Sequence, residues 1–260
     1  PGFGSSAKYV ASMVREVAID ASVYDNKKSV TIVEIMGRHA GWLTAASALA
    51  RKYDGDNPRL IYLPETAFDQ EAFLKKVQKM LETTPNLVVC ISEGIHDKNG
   101  IFVCELVGDI GTDTFGHKML TGSGKYLENL VIESFVRDKF GVKVRSIELN
   151  VCQRCSSEYL SATDLNESEN AGIVGVQAAL KGETGKMITF IRNCDLPYEL
   201  SYETADVNEI CNMEKAVPSD WITEDGCDVT EAFIQYARPL IQGKVVVPEE
   251  NGLPLFAYRK

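Results

Sequence analysis

The sequence predicts an α/β protein with a mostly parallel sheet covered by helices on both faces. Strand-like and helix-like segments alternate along most of the chain. Most strand-like segments, such as VTIVEI (30–35) and NLVVCISEG (86–94), are continuous apolar runs rather than alternating ones, as strands buried on both faces require. Several runs stop at a glycine or a charged residue, and in open parallel sheets the carboxyl ends of the strands are where ligands bind.

Residues 5–23 place Ala7, Val10, Ala11, Val14, Val17, Ala18 and Ala21 at helical spacing, with Ser5 or Ser6 as the expected N-cap. Residues 30–35 are β-branched and apolar, a buried strand; residues 40–51, rich in Ala and Leu, predict a buried helix. RLIYL (59–63) is the next strand, and 69–82 an amphipathic helix with Phe73, Leu74, Val77 and Leu81 on one face. After the strand at 86–94 come a long helix (122–138), a strand (142–149), a helix (165–181), a strand (186–191) and a last helix (229–242).

A chain of 260 residues can bury a sizeable core. Its net charge of -10 argues against general binding to nucleic acid or an anionic membrane, so any phosphate must be met by a few locally gathered cations. No apolar segment approaches the ~20 residues of a membrane span, and no signal-peptide pattern opens the chain. The seven cysteines are an odd number, set mostly in or beside apolar runs, which predicts reduced thiols and a cytoplasmic location. Cys152-x-x-Cys155 has no second CxxC or nearby His to complete a zinc set, so no metal site is expected there.

The strand ends supply the chemistry. Strand 30–35 runs into Met36-Gly37-Arg38, strand 86–91 into Ser92-Glu93-Gly94, and strand 142–149 into Asn150-Val151-Cys152-Gln153-Arg154. Gly37 admits a ligand close to the backbone, Arg38 offers a fork of donors to phosphate oxygens, and Glu93 can accept from hydroxyl groups. Together they suit a small, hydroxylated, phosphorylated ligand; each alone also has an ordinary reading as a turn, a solvated surface residue or a cap. His39 reads as a helix-start residue rather than a general base.

These residues, taken in order, resemble the phosphofructokinase family. VTIVEIMGRHAG (30–41) is similar to that family's strand–MGR–helix segment, and PGFGSSAKY (1–9), ISEG (91–94) and Gln153-Arg154 resemble further pieces in matching order. The resemblance implies that Met36, Gly37 and Arg38 contact fructose 6-phosphate, with Arg38 also stabilising charge on the transferred phosphoryl group. It implies that Glu93 holds sugar hydroxyls, that Tyr126 lies near the sugar, and that Arg145 and Arg154 hold the 6-phosphate, Arg145 from a neighbouring subunit. The stretch CQRCSSEYLSATD (152–164) looks closer to the pyrophosphate-dependent branch, so pyrophosphate is the expected donor and ATP the alternative. Val151 and Ser29 depart from the ATP-dependent pattern, with Lys27 and Lys28 beside the latter able to supply the missing charge.

The family's glycine-rich donor loop and its TIDND loop with the catalytic aspartate do not occur in this sequence. The chain therefore resembles a truncated phosphofructokinase, its C-terminal part, with an acceptor site and an expected lack of kinase activity alone. A non-catalytic sugar-phosphate-binding module is the reading from another class. Mg²⁺ is the implied cofactor, held mainly by the donor phosphates and the absent half. Residues 1–151 and 211–260 are expected to form the sugar-phosphate-binding domain, and 152–210 an excursion belonging to that absent half. The excursion's apolar face predicts a homo-oligomer or pairing with the absent half.

Overall fold

The structure, a computed structural model, describes residues 2–23, 27–107, 120–137 and 141–256. The chain divides into two compact units: one formed by 1–9, 154–214 and 235–260, the other by 10–153 and 215–234. The segment around 152–210 thus groups with both chain ends, a grouping that composition and periodicity do not signal.

The larger unit holds a four-stranded, all-parallel sheet in the order β2-β3-β1-β4, where β1 is Ser29–Ile35, β2 Leu60–Tyr62, β3 Asn86–Ser92 and β4 Lys143–Glu148. Every residue of β1 and β3 is buried, which is why both strands read as unbroken apolar runs. The sheet places β1 between β3 and β4, so these three neighbouring strands end at the same side of the sheet. On one face, Val30, Ile32, Leu87, Val89 and Ile91 pack with Phe73, Val77 and Leu81 of α3 (Gln70–Thr83) and with Leu127, Val131 and Phe135 of α4 (Ser123–Arg137). On the other, Cys90 meets Ser47. Ser47 lies in the helical segment at 42–50, where Arg15 of α1 (Phe3–Ser22) donates Nε–H to the carbonyl of Ala50 at 2.8 Å.

Local signals account for most boundaries. Asp69 caps α3, its carboxylate accepting from the N–H of Ala72 at 2.8 Å. The helix expected at 40–51 is shorter: α2 covers Trp42–Ala46, a 3₁₀ turn covers Ser47–Ala50, and Arg51 is extended. Arg51 leaves the helix because its guanidinium forks onto Asp228 (2.9 and 3.0 Å) and its Nε–H reaches the carbonyl of Pro58 (2.7 Å), a tertiary constraint invisible at 40–51. Strand β4 is half-exposed because it is a sheet edge. Residue 138 of the expected helix 122–138 lies outside the described residues.

In the smaller unit α5 (Ala162–Leu180) starts three residues earlier than periodicity indicates, capped by Ser161. Strand β5 (Lys186–Asp195) is not a parallel strand; it forms an antiparallel hairpin with β6 (Tyr198–Asp206). YELSYETAD escaped recognition as a strand because it is polar and half-exposed throughout. The expected last helix is α7 (Glu231–Ala237) followed by a 3₁₀ turn at Arg238–Ile241, where Pro239 tightens the end; α6 (Val207–Ile210) is a single turn after β6. All seven cysteines are free thiols, Cys90, Cys104 and Cys227 being buried.

Phe73 is fully buried with Tyr62 and Phe68 around it at ring-centroid distances of 5.6 and 5.4 Å. Phe73→Ala is expected to destabilise the chain by about 3–5 kcal/mol in urea denaturation, the usual cost of emptying a packed aromatic site; a loss below about 1 kcal/mol would contradict this packing.

Candidate functional site

The carboxyl ends of β1 and β3 are joined backbone to backbone. The N–H of Glu93 donates to the carbonyl of Ile35 at 2.9 Å and that of Gly94 to the carbonyl of Gly37 at 3.1 Å. The Ser92 hydroxyl also donates to the Gly37 carbonyl. The Glu93 carboxylate turns back to accept from the N–H of Gly37 at 3.3 Å. Met36, Gly37 and Arg38 are therefore presented directly beside Glu93, all four half-buried at the rim of the sheet.

Two glycines make this approach possible. A Cβ on Gly94 would stand 1.9 Å from the Arg38 carbonyl oxygen and 2.7 Å from that of Gly37. A Cβ on Gly37 would stand 2.7 Å from Ser92 Oγ and 2.8 Å from the Ala40 carbonyl oxygen. The glycine after the strand is thus needed for contact between two loops, a stronger demand than room for a turn.

A third strand end joins from β4. The chain turns at Asn150, whose φ of 44° is left-handed and suits Asn better than most residues. Gln153 follows, 1% exposed, its Oε1 accepting from the N–H of Met36 at 3.2 Å and its Nε2–H donating to the Asn150 carbonyl at 2.9 Å. Gln153 fixes the Met36 turn, a role that the sequence does not distinguish from its neighbourhood to Arg154.

Glu34 carries the strongest electrostatic perturbation here. It is 4% exposed near the end of β1, and its carboxylate accepts from the N–H groups of Gly124 (2.6 Å) and Gly122 (3.3 Å) at the start of α4. Burial pushes its pKa up to about 7, Glu148 and Glu93 push the same way, and the two glycine N–H groups pull it down. Glu34 belongs to no motif; its signal in the sequence is one acid inside a seven-residue run otherwise free of charge. The Ser123 hydroxyl donates to the Glu93 carbonyl at 3.0 Å, so the first turn of α4 is tied to the same loop.

The other singled-out residues fall into different places. Tyr126 lies one turn along α4, its hydroxyl donating to Gln70 Oε1 at 3.2 Å. Arg145 pairs in register with Thr31, five residues before Met36, so it sits roughly 16 Å back along the sheet at the ~3.3 Å rise per residue of a parallel strand. Its guanidinium faces Asp20 of α1 at 3.4 Å. Arg154 is exposed and opens the other compact unit. Ser29, with Lys27 and Lys28 before it, is at the amino end of β1, the opposite end from Met36, and its hydroxyl bonds Asn86. His39 is exposed at the rim of a cleft of about 730 Å³. Among the described residues there is no group of three or more His, Cys, Asp or Glu arranged to hold a metal ion, and no helix long and apolar enough to cross a membrane.

Gly94→Ala is expected to destabilise the chain by about 2–3 kcal/mol, towards the upper part of the usual range for single substitutions, because the clash is with backbone. A urea midpoint equal to that of the wild type would show that the two loops are not held this closely.

Comparisons with known proteins identify relatives of this chain. Residues 1–179 match the family described as Phosphofructokinase. The chain is 40% identical to the pyrophosphate--fructose 6-phosphate 1-phosphotransferase of Xanthomonas campestris, over 100% of this chain and 61% of that protein. It is 37% identical to the protein of the same name from Halomonas elongata, over 99% of this chain and 60% of that one. The crystal structure of a pyrophosphate-dependent phosphofructokinase from Marinobacter aquaeolei superposes with a TM-score of 0.84 at 32% identity, covering 98% of this chain and 59% of that one. The chain thus spans about three-fifths of the length of these relatives.

Proposed function

The chain belongs to the phosphofructokinase family, and from that premise we propose that it supplies the acceptor side of a phosphoryl transfer from pyrophosphate to fructose 6-phosphate, giving fructose 1,6-bisphosphate. The observation that carries this reading is the locked pairing of Met36-Gly37-Arg38 with Glu93 at the carboxyl ends of β1 and β3. It gathers a fork-shaped cation and a hydroxyl acceptor on one rim of an otherwise acidic chain.

In this reading Met36 and Gly37 approach the sugar phosphate through backbone, and Arg38 neutralises phosphate charge, both on the ligand and on the group being transferred. Glu93 holds sugar hydroxyls, Tyr126 borders the sugar, and Arg154 grips the 6-phosphate. Arg145, set back along β4, serves the site of a neighbouring copy. The names of the relatives favour pyrophosphate over ATP. Mg²⁺ is assigned mainly to the donor phosphates and to the half of the enzyme outside this sequence. The reading places the protein in the cytoplasm.

Oligomerisation, or pairing with the remaining part of a full-length enzyme, is part of the same reading. Val176 (62% exposed) and Leu180 (83%) on α5, with Phe190 (50%) on β5, leave apolar surface open to water.

Arg38→Ala is expected to weaken fructose 6-phosphate binding by at least about 1.5 kcal/mol, roughly tenfold, in a calorimetric titration, the low end for a charge-assisted contact. An unchanged affinity removes Arg38 from the site. With fructose 6-phosphate, Mg²⁺ and either pyrophosphate or ATP, the chain alone is expected to give no turnover above background in a coupled assay, since the sequence carries neither donor loop nor TIDND aspartate. Clear turnover would overturn the acceptor-only assignment.

A further inference from the structure

We propose that Glu34 is a positioning residue for the sugar site, clamping the first turn of α4 against the loop that carries Glu93; this rests on the reading of Glu93 as a sugar contact. A buried carboxylate is costly unless its oxygens are met, and the described partners of Glu34 are the backbone N–H groups of Gly122 and Gly124. These are donors that a helix start leaves unpaired, and the anion sits at the positive end of a 15-residue helix. The fit is close: a Cβ on Gly124 would stand 3.1 Å from Glu34 Oε2.

The contacts form a ring. Glu34 holds Gly122 and Gly124; Ser123 between them donates its hydroxyl to the Glu93 carbonyl; the Glu93 carboxylate accepts from Gly37; and Gly37 follows Glu34 by three residues on the same chain. Loosening the α4 start therefore frees one side of the Glu93 loop without touching Arg38 directly. The clamp needs an ionised Glu34, because both oxygens act as acceptors. Burial sets its titration at about 7, with Glu148 from β4 and Glu93 from the loop after β3 acting in the same direction, and Cys104 from the 3₁₀ turn at Val103–Val107 lying in its field. Ligand affinity is then expected to fall as pH falls through that value.

Stability moves the other way. The folded-state pKa of Glu34 is raised, so its contribution to stability is present below about 4.5 and lost as pH rises through about 7. Replacing Glu34 by an uncharged isostere should therefore cost binding at neutral and higher pH without costing stability, which a merely structural residue would not do.

The test uses the 260-residue chain, wild type and Glu34→Gln. Fructose 6-phosphate is titrated calorimetrically at about pH 8 and about pH 6; urea midpoints and amide exchange at 122–126 are measured alongside. The expected result is an affinity for Glu34→Gln about fivefold or more below wild type at the higher pH, the equivalent of one lost hydrogen bond. Its affinity should also vary less with pH, its exchange at 122–126 be faster, and its urea midpoint be unchanged or higher. The ligand's own phosphate titrates near pH 6, equally for both proteins, so the pH effect is read as the ratio between them. Affinities within twofold of each other at both pH values would overturn the proposal, as would weaker binding accompanied by a lower urea midpoint. If the wild type binds no fructose 6-phosphate, the functional reading fails on its own, and exchange decides the clamp: faster exchange at 122–126 in Glu34→Gln sustains it and unchanged exchange overturns it.

Discussion

The site depends on how closely two strand ends can approach. Between Gly94 and the Arg38 carbonyl there is no space for a single methyl group. That contact lets two backbone hydrogen bonds and two that involve the Ser92 and Glu93 side chains join the ends of β1 and β3, so the Arg38 turn is held by the sheet itself. The polar groups of such a rim would otherwise need water or partners of their own. Here each loop satisfies the other, which leaves the turn pre-formed and keeps a ligand from having to order it.

Around that contact, the supporting residues are mostly neutral or acidic. Gln153 holds the N–H of Met36 from the β4 side, and Glu34 holds the start of α4 from below. In a chain with a net charge of -10, Arg38 is a cation set on this frame, half-buried at the strand ends. The raised pKa of Glu34 shows the cost of the frame: a carboxylate is kept where burial and two further acids disfavour its charge. Polar groups that weaken the fold in this way are more often found at sites than elsewhere.

The smaller unit follows a different logic. Its helix α5 and the hairpin β5–β6 leave large apolar side chains exposed, while its hydrogen bonds are internally met around Asp164, which accepts from the N–H of Gly2 and the hydroxyl of Ser5. The beginning of α1 and the start of α5 are thereby joined across more than 150 residues of sequence.

Burial made the sheet legible. VTIVEI and NLVVCIS are apolar throughout because β1 and β3 have cover on both faces, and periodicity placed α3 and α4 because each buries one stripe. The MGR and SEG ends were legible because they lie at the carboxyl ends of buried parallel strands, where ligands bind, and because in order they resemble the motifs of one family. Other features have no local signature. Arg51 stops its helix to reach Asp228, and Gln153 and Glu34 take their roles from partners 117 and 90 residues away. Strand β6 exists only because β5 supplies its ladder. The sequence by itself determined the parallel α/β core and the identity of the groups at its rim, since these follow from patterns within about ten residues. Only the tertiary structure decided which of those groups meet: Glu93 beside Arg38, and Arg145 far back on the edge strand. Register and long-range hydrogen bonding set that choice, and neither is written in any local stretch.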